Sequence, residues 1–212
     1  MLKFRTQDKN VWFTSDPHFN HDKDFVYGVR GYTSCDAHRE GVIQKWNESV
    51  GINDVVFCLG DFHFGADSVP KMMGILERLN FAEIYLLPGN HTAGFRQLKN
   101  QYGRNFTTNS NKTVHFYPDY MEIIVDGQPI VLCHYPIVSW NGQGGGSWHL
   151  FGHTHQSIYK GPIGDFLKTL RCMDVGIDYC GRPIAFEEMK ELIGGRQLVT
   201  SDHHNAGTQN PF

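Results

Sequence analysis

Five short apolar runs, each followed at once by polar residues, constrain the fold of this chain more than any other feature. The runs occupy residues 11–13, 55–59, 84–87, 130–133 and 148–151, and they are rich in β-branched and aromatic side chains. Their length and composition predict strands. Because polar groups that follow strand after strand gather at one edge of an open α/β sheet, the sequence predicts one shared site at that edge.

The residues that follow these runs are of types that bind metal ions. In chain order the motifs are Asp16-Pro17-His18, Gly60-Asp61, Gly89-Asn90-His91, His134 and Gly152-His153-Thr154-His155. They supply two Asp, one Asn and five His. The oxygen and nitrogen atoms of these side chains suit hard or borderline divalent cations. The pattern therefore predicts a metal cluster assembled from separate loops.

The order D-x-H, G-D, G-N-H, H, G-H-x-H resembles that of the calcineurin-like metallophosphoesterase family. All the motifs are present in order, and they span Asp16 to His155. The resemblance implies an α/β fold, a four-layer α/β/β/α sandwich with two facing mixed sheets. It also implies hydrolysis of a phosphodiester or phosphomonoester by attack of a metal-bridging hydroxide, with two divalent metal ions per chain.

The resemblance also assigns the ligands. The first metal ion would be held by Asp16, His18, Asp61 and His155. The second would be held by Asp61, Asn90, His134 and His153. Asp61 is common to both sets, and we expect its carboxylate to bridge the ions through both oxygens. His91 is left without a metal, and we expect it to act as the catalytic residue that stabilises phosphoryl charge and protonates the departing oxygen.

Three further residues are candidates for substrate contact or for support of the ligands: His21, His63 and Trp140. The alternative for His21 is an ordinary surface-loop residue. Trp140 either stacks on a base or an aromatic leaving group, or is a tucked side chain beside a flexible connection. The consecutive glycines at residues 144–146 predict a mobile rim near the cluster.

Side-chain direction and backbone geometry give three more expectations. On a regular strand, His153 and His155 would point to the same face and lie side by side over the cluster. His38 is expected on the surface of a helix. Gly60, Gly89 and Gly152 are expected where each strand must turn sharply.

Alternating strands and helices in the first half favour parallel pairing with helices outside the sheet. Helices are predicted over residues 35–50, from near Ser68 and Pro70 to Leu79, and over residues 93–102 and 186–193. Further strands are predicted over residues 113–117, 121–125 and 171–175, with a hairpin turn at Asp126-Gly127. We interpret residues 1–200 as a single metallophosphoesterase domain and residues 201–212 as a polar tail.

Net charge, hydropathy and cysteine content limit the classes of partner and the cellular setting expected for the chain. A net charge of -3 over 212 residues gives no electrostatic footprint for broad nucleic-acid binding. The chain has no apolar stretch of the ~20 residues that span a membrane. Its five cysteines form no Cys-x-x-Cys pair and favour a reducing, cytoplasmic setting.

We therefore expect a small phosphoester substrate, such as a nucleotide. The alternatives are a nuclease acting on polymeric DNA or RNA, which is less favoured, and a non-catalytic binding module on the same fold. Manganese is the preferred metal, with Fe, Zn and Ni as alternatives. The sequence leaves the oligomeric state and the choice between monoester and diester open.

Overall fold

The computed structural model of the protein describes residues 1–65 and 69–198, and their strands form two sheets. The strands are β1 (Leu2–Phe4), β2 (Val11–Thr14), β3 (Val55–Cys58), β4 (Glu83–Leu86), β5 (Asn105–Thr107), β6 (Thr113–Phe116), β7 (Tyr120–Val125), β8 (Gln128–Cys133), β9 (Trp148–Phe151), β10 (Cys172–Asp174) and β11 (Ile184–Ala185). The helices are α1 (Asp24–Tyr27), α2 (Cys35–Ser49), α3 (Val69–Arg78), α4 (Ala93–Tyr102), α5 (Pro162–Thr169) and α6 (Phe186–Met189).

The first sheet has the strand order β11-β2-β3-β4-β6-β5. The strands β2, β3, β4 and β6 are mutually parallel, and the two outer strands are antiparallel to their neighbours. All four residues of β3 are buried, as expected of a parallel strand covered on both faces. The predicted parallel pairing in the first half of the chain is confirmed.

The second sheet has the order β1-β7-β8-β9-β10. Its strands β7 and β8 form the predicted hairpin, whose turn residues Asp126 and Gly127 have φ values of 47° and 83°. Positive φ at both turn positions matches the twist of the two strands. The strands β8, β9 and β10 are parallel, so their carboxyl ends meet at one edge.

Side-chain alternation along the strands separates three layers of apolar packing. Val55 and Phe57 of the first sheet pack against Ile130 and Leu132 of the second, and this core lies between the sheets. The intervening Val56 faces the opposite way, toward α2, α3 and α4. On the outer face of the second sheet, apolar side chains pack against α5. The arrangement is the predicted four-layer α/β/β/α sandwich.

The helices end where the sequence suggested, with small differences. Helix α2 begins after Ser34, whose side chain accepts a hydrogen bond from the Ala37 N–H at 3.1 Å. The expected start of α3 near Ser68 falls outside the described residues, as does the polar tail. The closing helix is α-helical over Phe186–Met189 and continues as a π-helical turn over Lys190–Gly194. Within residues 1–65 and 69–198, no helix has the length and apolar character needed to cross a membrane.

Candidate metal centre

The motif loops meet at the carboxyl edges of both sheets. Loops after β2 and β3 are joined by two backbone hydrogen bonds, from Asp16 N–H to the Gly60 carbonyl at 3.1 Å and from His18 N–H to the Asp61 carbonyl at 3.0 Å. The loop after β9 reaches across to the first sheet, where the His153 N–H donates to Asp16 Oδ2 at 2.8 Å. The shared edge predicted from the sequence therefore exists, and it joins two sheets.

The backbone of these loops is unusual. Five motif residues adopt the left-handed conformation, with φ between 48° and 68°: Asp16, His18, Asp61, His153 and His155. Residues other than glycine rarely adopt this conformation, because it costs energy. Strain of this kind gathers where a fold must aim side chains at one point.

The positions of His153 and His155 correct one expectation. Strand β9 ends at Phe151, and both histidines lie in the loop beyond it. Their side chains are directed by left-handed backbone at His153 (φ 68°) and His155 (φ 48°), not by strand alternation. The same-face argument from a regular strand was wrong, because the strand had already ended.

Two glycines are required by close approach. A Cβ atom on Gly89 would collide with the Asp61 carboxylate, and one on Gly152 would collide with Ser15 and with the Asp16 carboxylate. Among the three motif glycines, only Gly60 has a positive φ, at 129°. Hence Gly60 fits the expected sharp turn, whereas Gly89 and Gly152 leave room for neighbouring carboxylates.

A first group of potential ligand atoms surrounds Asp16. The Asp16 Oδ1 atom lies 3.6 Å from His18 Nε2 and 4.0 Å from His155 Nε2. Asp16 and His18 are buried, and neither Asp16 Oδ1 nor His18 Nε2 has a hydrogen-bond partner. Burial alone would raise the pKa of Asp16, but the facing His18 ring and the nearby His134 and His155 outweigh it and lower that pKa to about 2. Buried, unpartnered atoms of these types fit a bound cation.

A second group centres on Asp61. Its Oδ2 atom lies 3.7 Å from His18 Nε2 and 3.7 Å from His134 Nε2. The Asn90 Oδ1 atom lies 3.0 Å from His134 Nε2 and 2.9 Å from His153 Nδ1. The other carboxylate oxygen, Asp61 Oδ1, accepts the His91 N–H at 2.8 Å. The Oδ2 atom therefore faces a histidine nitrogen of each group.

The outer nitrogens of three histidines are tied to neighbours. His134 Nδ1 lies 3.0 Å from the Leu59 carbonyl, His155 Nδ1 lies 2.7 Å from Asp178 Oδ2, and His18 Nδ1 lies 3.2 Å from His21 Nδ1. A carbonyl can only accept, so His134 Nδ1 is the donor in the contact with Leu59. Contacts of this kind fix ring orientation and tautomer at metal sites.

Arg30 and Asp178 complete the centre, although no motif pointed to them. Arg30 donates from Nε and Nη2 to the two Asp178 oxygens, both at 2.8 Å, and its Nη2 also donates to the Asp16 carbonyl at 2.9 Å. Burial would raise the pKa of Asp178, but His155 and Arg30 hold it well below its usual range. In turn, Asp178 raises the pKa of His155 against the effect of burial.

His38 is a further correction. It was expected on a helix surface, but it is fully buried and its Nε2 lies 2.9 Å from Arg30 Nη1. Burial, followed by the charge of Arg30, lowers the pKa of His38 to about 4. The neutral ring can therefore accept a hydrogen bond from the guanidinium. A single histidine among polar helix residues gave no signal of this role.

His21 and His63 are both buried near the centre. His21 contacts the potential ligand His18, and its ring stacks on Phe64 with centroids 3.7 Å apart and an interplanar angle of 2°. Burial lowers the pKa of His21 to about 4. The Nε2 atom of His63 lies 2.9 Å from Asn20 Nδ2. The surface-loop alternative for His21 does not hold, because the stack covers its ring.

Trp140 and the glycine segment lie away from the centre. Trp140 is 7% exposed, and its indole N–H donates to the Ser147 carbonyl and hydroxyl at 3.1 and 3.0 Å. Residues 144–146 close a hydrogen-bonded turn just before β9, and the Gly146 carbonyl accepts from Gln128 at 2.9 Å. Since β8 and β9 are parallel, the chain must return to the opposite edge of the sheet between them. The expected position of this segment at the rim of the cluster is therefore wrong, and Trp140 is a tucked side chain.

His91 occupies the rim. Its side chain is 35% exposed, and its Nε2 lies 4.0 Å from Asp61 Oδ2. Its ring meets the rings of His18, His21 and Phe64 edge to face, with centroids 5.1 to 5.5 Å apart. The potential ligand atoms of His18, Asp61 and His91 also lie within 4.8 Å of one another. His91 is thus partly open to solvent while remaining close to the carboxylate shared by the two groups.

Comparison with known proteins finds relatives that match most of the chain. The chain is 27% identical over 193 residues to an uncharacterized protein of Methanocaldococcus jannaschii, covering 90% of this chain and 95% of that one. It is 26% identical over 205 residues to the gene 66 protein of Mycobacterium phage D29, covering 87% and 96% of the two chains. A solved protein of unknown function from Aquifex aeolicus shares the fold, with a TM-score of 0.63, 19% identity, and coverage of 87% of this chain and 100% of that one.

A family model provides the assignment. The model described as calcineurin-like phosphoesterase matches residues 9–157, which include every motif that contributes to the centre. The order of the motifs, the four-layer fold and the cluster of carboxylates and imidazoles all agree with this match. The chain therefore belongs to the calcineurin-like phosphoesterase family.

Proposed function

We propose that this protein hydrolyses small phosphoesters with two divalent metal ions. The observation that carries the proposal is the position of Asp61 Oδ2, which lies 3.7 Å from a histidine nitrogen of each ligand group. A carboxylate oxygen between two sets of nitrogen and oxygen atoms suits a ligand shared by two cations. Within a phosphoesterase family, such a pair supports hydrolysis more directly than simple binding.

The residues would divide as follows. The first ion would be held by Asp16, His18, Asp61 and His155. The second would be held by Asp61, Asn90, His134 and His153. When bound, two such ions supply charge neutralisation of the phosphate and activation of a water molecule. Manganese is our choice, by resemblance to the family and because the oxygen ligands Asp16, Asp61 and Asn90 suit it; the four imidazoles also suit Fe, Zn and Ni.

His91 would serve the leaving group. It lies at the rim with its side chain 35% exposed, close to the ligands without being enclosed by them. An imidazole at this position can donate a proton to the departing oxygen and stabilise charge on the phosphoryl group. Arg30 and Asp178 act beneath the ligands, where Arg30 holds the backbone of the first motif and Asp178 orients His155.

A small substrate is favoured over polymeric nucleic acid. The net charge of -3 offers no general attraction for a polyanion, and a nucleotide or similar phosphoester needs none beyond the metal charge. A reducing, cytoplasmic setting is supported by the five cysteines, all of which carry free thiols. A binding module without turnover is the weaker alternative, because both complete ligand groups and His91 are present together.

The test is turnover of a panel of phosphomonoesters and phosphodiesters with added Mn²⁺, paired with elemental analysis. We expect two ions per chain, turnover of at least one ester class, and loss of turnover on chelation with recovery when Mn²⁺ is restored. The matched control is Asp165→Asn, which changes an exposed carboxylate that pairs with Lys168. One ion or none in active, metal-supplemented protein would defeat the two-metal assignment, and no turnover of any ester would favour the binding module.

A further inference from the structure

A cavity of about 430 Å³ opens beside the metal centre on the side of His91. It is lined by Phe64, Gly65, Asn90, His91, Thr92 and Ala93. Asn90 and His91 belong to the centre, so the cavity begins where the chemistry would take place. Its volume falls within the range of sites that enclose small organic molecules, ~300–1,000 Å³.

The wall of this cavity is aromatic and firmly supported. Phe64 stacks on His21 at 3.7 Å between centroids, and His21 in turn contacts His18. The Phe64 ring also meets the His91 ring edge to face at 5.1 Å and 70°. Phe64 is thus held between the inner layer of the centre and the rim histidine, while its remaining surface faces the cavity.

The described part of this wall has few ionisable side chains. Among the described residues that line the cavity, none is Asp, Glu, Lys or Arg. Within the described lining, His91 is the one side chain that can carry a charge, and its proposed role places it at the departing oxygen. An uncharged, flat group would gain stacking against Phe64 and burial of apolar surface.

The position of His91 decides which part of a substrate would enter. If His91 protonates the departing oxygen, the leaving alcohol must lie on the His91 side of the phosphorus. The cavity lies on that side because His91 is one of its walls. We propose that this leaving-group cavity binds an uncharged aromatic leaving group, so that aryl-bearing alcohols, nucleosides among them, are preferred over aliphatic ones. This inference rests on the proposed phosphoesterase function.

The experiment uses the full chain loaded with Mn²⁺ and three leaving groups of similar acidity. The substrates are benzyl, cyclohexylmethyl and ethyl phosphate, or the corresponding symmetric diesters if diesters are the class turned over. Similar alcohol acidity removes the chemical advantage of a better leaving group and isolates recognition of the ring. We expect kcat/KM for the benzyl ester to exceed that for the other two by about ten-fold.

Two variants change different parts of the cavity wall. Ala93→Leu places a larger side chain at an exposed lining position, and Phe64→Ala removes the stacking surface. Each should reduce the benzyl-to-ethyl ratio of kcat/KM by about ten-fold. Phe166→Ala, which shortens an exposed aromatic side chain on α5, is the matched control and should leave the ratio unchanged.

The outcomes separate the two levels of the proposal. Turnover of all three esters at equal kcat/KM would overturn the aromatic cavity while leaving the phosphoesterase function intact. Equal rates for benzyl and cyclohexylmethyl esters would show recognition of bulk and would also overturn it, as would an unchanged ratio in both folded cavity variants. No turnover of any ester would overturn both proposals. If Ala93→Leu fails to fold in a melting experiment, Phe64→Ala and the wild-type ratio still decide.

Discussion

Replacing Asp178 by Asn should weaken metal binding although Asp178 itself is not among the proposed ligands. Its Oδ2 accepts from His155 Nδ1 at 2.7 Å and from Arg30 Nη2 at 2.8 Å, while Oδ1 accepts from Arg30 Nε at 2.8 Å. Both positions therefore face donors only. An amide has one acceptor oxygen and one NH₂ group, so one position must face a donor with another donor.

Each orientation of the amide has a cost. With NH₂ at the Oδ2 position, His155 can form a hydrogen bond only by accepting at Nδ1, which moves its proton to Nε2 and blocks the lone pair intended for metal. With NH₂ at the Oδ1 position, the hydrogen bond from His155 is kept, but the Arg30 Nε–H faces another donor and loses its acceptor. Loss of such supporting contacts typically lowers metal affinity ~10–100-fold, or about 1.4–2.7 kcal/mol.

Calorimetric titration of the metal-free protein with Mn²⁺ provides the measurement. The isosteric control is Asp165→Asn, whose carboxylate is exposed and pairs with Lys168, and it should bind Mn²⁺ like the wild type. Thermal unfolding of the metal-free variants checks that the buried Arg30 is still accommodated. If folded Asp178→Asn binds both ions with wild-type affinity, Asp178 does not orient His155 and the reasoning fails.

Three further predictions address other parts of the molecule. Asp61→Asn should reduce turnover at limiting metal more than any other single ligand change, because it weakens both ion sites; wild-type kinetics at limiting metal would contradict the shared-ligand assignment. His91→Ala should slow hydrolysis of an alkyl ester more than that of a nitrophenyl ester, by a factor within the ~10²–10⁴ typical of general acid catalysis; an equal loss on both, with both metals retained, would leave only charge stabilisation. Burial lowers the pKa of His149 from 6.5 to about 4. Between these two values the unfolded chain binds a proton at His149 that the folded chain does not bind. The free energy of unfolding should therefore fall by about 2 kcal/mol through His149 as the pH is lowered from 7.5 to 5. Urea unfolding should show that His149→Gln loses less stability than the wild type when the pH is lowered from 7.5 to 5. An identical pH dependence in both proteins would contradict the lowered pKa of His149.

Local sequence patterns predicted the parts of the centre that depend on local structure. The residues Asp16, Asp61 and Asn90 follow strands that are buried on both faces, so an apolar run marks each strand and the next polar residue marks its edge. Parallel pairing then brings these edges together without any further information. The hairpin at Asp126-Gly127 was predictable for the same reason, because its turn chemistry is contained in two adjacent residues.

The misplaced features depend on contacts between distant segments. Arg30 and Asp178 are 148 positions apart, and neither belongs to a motif, so only the folded chain shows their ion pair. His38 was misplaced because its partner is that same buried Arg30. The glycine segment was misplaced because its sequence distance from His134 is short, whereas the parallel crossover from β8 to β9 carries it to the far edge.

The division of the centre between two sheets has a mechanical consequence. Asp16, Asp61 and Asn90 extend from the first sheet, whereas His134, His153 and His155 extend from the second. Cations held by both sets would fasten the two halves of the sandwich to each other, in addition to the apolar side chains packed between them. Neither half alone carries a complete set of ligands, so the ions would bind tightly only once both sheets have docked. Metal affinity would in this way become a measure of how completely the chain has folded.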